Sequence, residues 1–162
     1  MIILRNLCSH VRSRCFGTPL IKRYLSTEAE ATKNERNTKE DIKQLQASLQ
    51  KLIDTHIVPY VEEWEANEQY PAHKVLKKLG EAGFLGICRP VEYGGLGLDF
   101  RYTVAAIETL GTIPCGGIPM SIAVQTDMAI PALARFGSEE LKQEFLVPTI
   151  AGDVVCCLGV SE

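Results

Sequence analysis

A few groups in this 162-residue sequence have the residue types for chemistry: two glutamates, a glycine-rich loop, a lysine cluster, and scattered thiols and imidazoles. A carboxylate works as a general base only where it is held dry beside the proton it removes, so its setting decides its role. Glu92 lies in the loop Glu92-Tyr93-Gly94-Gly95-Leu96-Gly97-Leu98-Asp99, and Glu108 lies on a helix flank. Both settings read as solvated surface, and no catalytic residue is assigned. Gly94-Gly95-Leu96-Gly97 resembles a phosphate cradle only superficially, because no strand precedes it and no Lys-Ser or Lys-Thr pair follows. Lys74, Lys77 and Lys78 read as solvated charge near the carboxyl end of a helix. With a net charge of -3 they do not make a nucleic-acid face. His10, His56 and His73 are isolated, and no Cys-x-x-Cys or His-x-x-x-His spacing occurs, so no metal site is expected. Six cysteines include the neighbours Cys156 and Cys157, whose side chains would alternate across a strand. Reduced thiols packed as small hydrophobes are the reading, not a disulfide framework.

The elements that would position these groups follow from apolar spacing. Ile42, Leu45, Leu49, Leu52, Ile53, His56, Ile57, Tyr60 and Trp64 recur at steps of three and four, the mark of one helix face, with Pro59 kinking or restarting the helix. A second helix is expected over about 71–82, with Pro71 in its first turn, Val75, Leu76 and Leu79 inward, and Gly83 as a left-handed cap. The stretch Phe84 to Asp99 holds, with Gly83, five glycines flanked by apolar residues. Such a loop folds against another surface, and Asp99 suits the N-cap of the helix after it. Val104, Ala105, Ile107 and Leu110 define a third helix. From Met120 to Phe136 the chain is nearly all apolar, interrupted by Gln125, Thr126, Asp127 and Arg135, which reads as a central helix bent near Ala129 by Pro131. Ser138 caps a last helix that points Leu141, Phe145, Leu146 and Ile150 inward, tolerates Pro148 and stops at Gly152-Asp153. The fold class is therefore all-α: about five helices in a bundle, then one terminal strand, Val154 to Ser161, opening a β domain whose partner strands are not in the sequence.

Charge divides the chain unevenly. Residues 1–27 carry Arg5, Arg12, Arg14, Lys22 and Arg23 without a carboxylate, while the remaining 12 basic and 20 acidic residues leave a net charge of -8. Spaced arginines among hydroxyl residues read as a mitochondrial transit peptide, and no apolar run approaches the roughly 20 residues of a membrane span. Residues 28–40 read as a disordered linker, 41–152 as the helical domain and 153–162 as the first strand of the β domain.

Four segments carry a family resemblance: Lys77-Lys78-Leu79-Gly80-Glu81-Ala82-Gly83-Phe84-Leu85-Gly86-Ile87, Glu92 to Asp99, Phe136-Gly137-Ser138-Glu139-Glu140-Leu141-Lys142, and Val160-Ser161-Glu162. In this order and separation, across about residues 42–162, they resemble the amino-terminal domain of the acyl-CoA dehydrogenase family. The resemblance implies a three-domain enzyme that uses FAD to oxidise an acyl-CoA at its α and β carbons in the mitochondrial matrix, passes electrons to an electron-transfer flavoprotein, and assembles as a homo-oligomer. It implies flavin contacts at Leu158, Val160 and Ser161, the last standing where threonine is more often found. It also implies an acyl-chain wall at Met120, Ser121 and Val124. The family's glutamate base belongs to the carboxy-terminal domain and has no match here, so the resemblance implies a fragment that is inactive alone. Two other readings are an acyl-CoA oxidase or flavin monooxygenase of the same superfamily, and a non-enzymatic helical module that pairs with a full-length relative.

Overall fold

A computed structural model describes the backbone of residues 19–159 and the side chains of residues 38–159. Most of the transit-peptide expectation, and the expected flavin contacts at Val160 and Ser161, lie outside those residues. The chain divides into two units, residues 1–41 and 42–162. In the first, the described backbone is helical. Helix α1 is Pro19–His56, so it runs through residues 28–40, where a linker was expected. Lys, Glu and Arg, which together with Asn and Thr gave that stretch its linker-like polarity, are also good helix formers, and polarity alone does not separate a solvated helix from coil.

In the second unit the breaks fall at proline and glycine. Pro59 ends the first rod in a 3₁₀ turn, Val58–Tyr60, and α2, Val61–Ala66, restarts after it. Helix α3, Ala72–Glu81, has Pro71 at its N-cap, one position earlier than expected, and Gly83 follows it at φ +83. Helix α4, Phe100–Leu110, is capped by the Asp99 carboxylate, which accepts the Arg101 N–H at 2.9 Å. The 117–136 rod is built from α5, Gly117–Ala123, a π-helical turn, Val124–Ala129, and α6, Ile130–Phe136. Ser138 then caps α7, Glu139–Leu141, which continues through a second π turn, Lys142–Leu146, into α8, Val147–Ile150.

The main core joins Leu49, Ile53 and Ile57 of the first rod, Val75, Leu76 and Leu79 of α3, Leu85 and Ile87 of the glycine loop, Ala106 and Leu110 of α4, and Ile118 and Ile122 of α5. A smaller cluster holds Tyr93, Ile130, Leu146 and Ile150 around the two π turns. Burying an aliphatic side chain of this kind is worth about 1.5 to 3 kcal/mol, so α1, α3 and the loop are held by many small contributions.

Three expectations need correction. Among the described residues no strand forms: residues 155–159 are irregular, because a strand is defined by a partner and none lies beside them. In α4 the buried stripe is Tyr102, Ala105, Ala106, Thr109 and Leu110, while Val104 and Ile107 face out. The helix carries two apolar stripes, and periodicity does not choose between them. Leu141 and Phe145 are also exposed, and only Leu146 and Ile150 point inward. The π turn inserted between them breaks the 3.6-residue count on which the expectation stood. No helix among the described residues is long and apolar enough to cross a membrane.

Candidate functional site

The two π turns share one cause. Pro131 and Pro148 lack an N–H, and each ring crowds the carbonyl four residues back, that of Asp127 or Glu144. The turn widens, and the residue just before each proline donates one residue further back than in an α-helix: Ile130 N–H to Gln125 O, and Val147 N–H to Lys142 O. The expected bend near Ala129 is thus a π turn.

That turn carries the most consequential polar side chain of the domain. Gln125 is 0% exposed. Its Nε2 donates to Thr149 O at 3.1 Å and Val154 O at 3.2 Å, and its Oε1 accepts the Cys156 N–H at 3.1 Å. Thr149 is equally buried, and its Oγ1 lies 3.3 Å from Cys156 Sγ. A buried carboxamide is costly unless its groups are paired, and here three hydrogen bonds pair them. The signal in the sequence was a glutamine inside an otherwise apolar helix, but only the folded chain shows what it holds.

Of the expected acyl-wall residues, Met120 on α5 is 58% exposed and Val124, one turn further on at the start of the π turn, is half-buried, so these two form an outward apolar ledge. Ser121 does not join them: its hydroxyl donates to Ile118 O at 2.8 Å and accepts from the Tyr70 hydroxyl. The central-helix expectation holds on one side only, since Ile118 and Ile122 are buried while Met120, Met128 and Phe136 are exposed. A small cleft of about 30 Å³ lies between the glycine loop, α4 and the π turn, lined by Leu79, Ile87, Thr103, Ile107 and Asp127 among others. That space suits a water or two, not an acyl chain.

The glycine loop is committed to itself. The N–H groups of Gly94, Gly95, Leu96, Gly97 and Leu98 donate to the carbonyls of Val91, Pro90, Gly86, Arg89 and Ile87 at 2.9 to 3.0 Å. A Cβ on Gly95 would stand 2.2 Å from Arg89 O, which is why glycine is needed for the fold-back. With these amides used internally, the loop has no row of donors left for a phosphate. Glu92 and Glu108 are both exposed. Lys77 is not merely solvated, because its ammonium pairs with Asp153 and raises its own pKa through that hydrogen bond, tying α3 to the turn after α8. Tyr93 donates to Glu139 Oε2 at 2.7 Å under the Lys142 ammonium, 5.5 Å from the ring centroid. The hydrogen bond to Glu139, then burial, pushes the Tyr93 phenol up to about 12. Glu139 is held below the usual carboxylate range by Gln143 first and Tyr93 second.

Of the expected flavin contacts, Leu158 is 46% exposed, and its backbone groups have no hydrogen-bond partner among the described residues. Cys88, Cys115, Cys156 and Cys157 are free thiols, and the described residues hold no group of three potential metal ligands.

Comparison with known proteins bears on what this arrangement serves. The family model for the acyl-CoA dehydrogenase N-terminal domain matches residues 39–153. The chain is 32% identical over 124 residues to mitochondrial isovaleryl-CoA dehydrogenase of Bos taurus, covering 76% of the chain and 29% of that relative. Its fold superposes on the crystal structure of an acyl-CoA dehydrogenase from Geobacillus kaustophilus with a TM-score of 0.66 at 30% identity, covering 72% of this chain and 30% of that one. It also superposes on a Bacillus anthracis acyl-CoA dehydrogenase complexed with FAD, with a TM-score of 0.63 at 28% identity, covering 70% of this chain and 19% of that one. The chain thus spans under a third of the length of each of these proteins.

Proposed function

This chain belongs to the acyl-CoA dehydrogenase family, whose N-terminal domain its residues 39–153 form, and from that premise we propose that it supplies one wall of the acyl site and the approach to the flavin in α,β-dehydrogenation of an acyl-CoA. The observation that carries this reading is the ledge of Met120 and Val124. It is apolar and faces out of a rod whose opposite side, at Ile118 and Ile122, is core. An acyl tail laid along it would be covered from outside this domain, and the bulk of these two side chains would set which chain lengths fit.

The groups after Cys156 have the chemistry a flavin needs: the Leu158 backbone, which has no hydrogen-bond partner among the described residues, and the Ser161 hydroxyl, beyond them, are of the donor and acceptor types that pair with the carbonyls and ring nitrogens of an isoalloxazine. When bound, FAD supplies the hydride acceptor for the β carbon. The part played by this chain is to orient and to exclude water, because no carboxylate among the described residues is buried and Glu92 and Glu108 are exposed. An electron-transfer flavoprotein is the proposed electron acceptor. The mitochondrial matrix is the proposed location, supported by the arginine-bearing, acid-free residues 1–27 and by the mitochondrial Bos taurus relative.

The test is a chimaera in which residues 39–162 replace the matching domain of the Geobacillus kaustophilus enzyme. It should purify yellow and reduce a dye with acyl-CoA. A Met120→Trp version should lose kcat/KM for long chains by about 10- to 200-fold per excluded methylene, the equivalent of about 1 to 3 kcal/mol, with little change for short ones. A folded but colourless and inactive chimaera would reject the assignment.

A further inference from the structure

We propose that Gln125 is a positioning residue that stands in for the missing neighbour of a β-strand and sets the register of the run leading to Leu158. A parallel neighbour residue pairs with one carbonyl and with the N–H two residues on, at the same edge of the strand. The Gln125 carboxamide makes that pair of bonds, donating to Val154 O at 3.2 Å and accepting the Cys156 N–H at 3.1 Å. The side-chain amide therefore takes the place of the N–H and C=O of one neighbouring residue opposite Val155. Its second donor takes Thr149 O at 3.1 Å, which joins the same carboxamide to the end of α8.

The placement has a consequence for the site. Gln125 follows Val124 directly, on the π turn enforced by Pro131, so the residue that carries the apolar ledge and the residue that grips the run are adjacent in one rigid turn. Peptide groups alternate between strand edges, so gripping Val154 O and Cys156 N–H fixes which edge every later amide presents if the run stays extended. Leu158, two residues beyond Cys156, then presents its amide at the edge Gln125 occupies. A change at Gln125 would move the run against the acyl wall without touching either ligand. The link to catalysis rests on the proposed function above, whereas the grip itself does not.

Amide hydrogen exchange by NMR on the 162-residue chain, without flavin, tests the proposal. Cys156 should be protected, and Cys157 and Leu158 should exchange freely. Gln125→Leu removes both donor and acceptor, and should lower protection at Cys156 by at least 10-fold while α4 amides keep theirs. Gln125→Glu is the sharper variant. Protonated, it offers one O–H donor and one carbonyl acceptor; ionised, it turns only acceptors toward the oxygens of Thr149 and Val154. Cys156 protection in this variant should therefore be retained at low pH and lost as pH rises, relative to wild type at the same pH. Asp127, Asp153, Cys156 and Cys157, the titratable groups on the two segments, and Lys77, which pairs with Asp153, are common to both proteins and cancel in that comparison. Should Gln125→Leu fail to fold, Gln125→Glu at low pH carries the test. A uniform loss of protection across the core in both variants, or unchanged Cys156 exchange, would overturn the proposal. A chain that shows the grip yet fails as a chimaera counts against the proposed function alone.

Discussion

Tyr93 shows how much one side chain can couple. It belongs to the smaller core cluster, yet its hydroxyl reaches Glu139 on α7, so a loop residue holds the start of the last helical rod. The two shifts act at opposite ends of the pH scale. The Tyr93 pKa is raised to about 12, so its stabilisation is full below pH 10 and is lost as pH climbs from 10 toward 12. The Glu139 pKa is lowered, so its stabilisation is present above the ordinary glutamate range and is lost as pH falls through it. Tyr93→Phe should therefore flatten the alkaline fall in denaturation midpoint and weaken the acid one, because Gln143 still holds Glu139. A variant that tracks wild type at both ends would remove the coupling.

At the scale of elements, prolines and glycines act through backbone contact. Gly80 lies inside α3, where replacement by alanine ordinarily gains about 1 kcal/mol from helix propensity. Here a Cβ would stand 2.4 Å from the backbone carbonyl of Ala151. From the other side, Gly152, at φ +77, would put a Cβ 2.4 Å from Leu76 O. Backbone cannot rotate away as a side chain can, so overpacking of about 1 to 3 kcal/mol should outweigh the propensity gain. Gly80→Ala should lower stability in urea and loosen the Lys77 to Asp153 pairing beside it; a net gain would mean that the 151–153 turn yields freely. The prolines work differently, widening the turns before them. In this way one apolar helix gains a buried polar grip at Gln125, and the last rod turns Leu146 rather than Phe145 inward.

Across the whole molecule, apolar residues divide sharply between core and surface. Leu79 is 0% exposed in the main cluster, whereas Phe136, equally apolar in the sequence, is 78% exposed. Leu79→Ala should cost about 2 to 5 kcal/mol, and Phe136→Ala should stay within about 0.5 kcal/mol of wild type. Trp64 is the one tryptophan of the sequence, stacked on Tyr60 at 5.6 Å and tilted against Tyr70 at 6.1 Å, so its fluorescence reports unfolding directly. A large loss for Phe136→Ala would mean that this face is covered by a second molecule in solution. The exposed Phe100, Val104 and Ile107 stripe of α4 is apolar surface of the kind that meets other protein or ligand.

Local chemistry by itself determined the all-α class, the restart at Pro59, the Asp99 and Ser138 caps, the left-handed Gly83 and the bend before Pro131, because each depends on a residue and its near neighbours. The family was legible for the same reason, as short motifs in a set order. Tertiary structure alone decided which apolar stripe of α4 is buried, that Ser121 bonds to Tyr70, and that no strand forms among the described residues. It alone showed that Gln125 grips Val154 and Cys156. Those outcomes depend on contacts between residues far apart in the chain, and a π turn that adds a residue shifts every face after it, which no fixed period can anticipate.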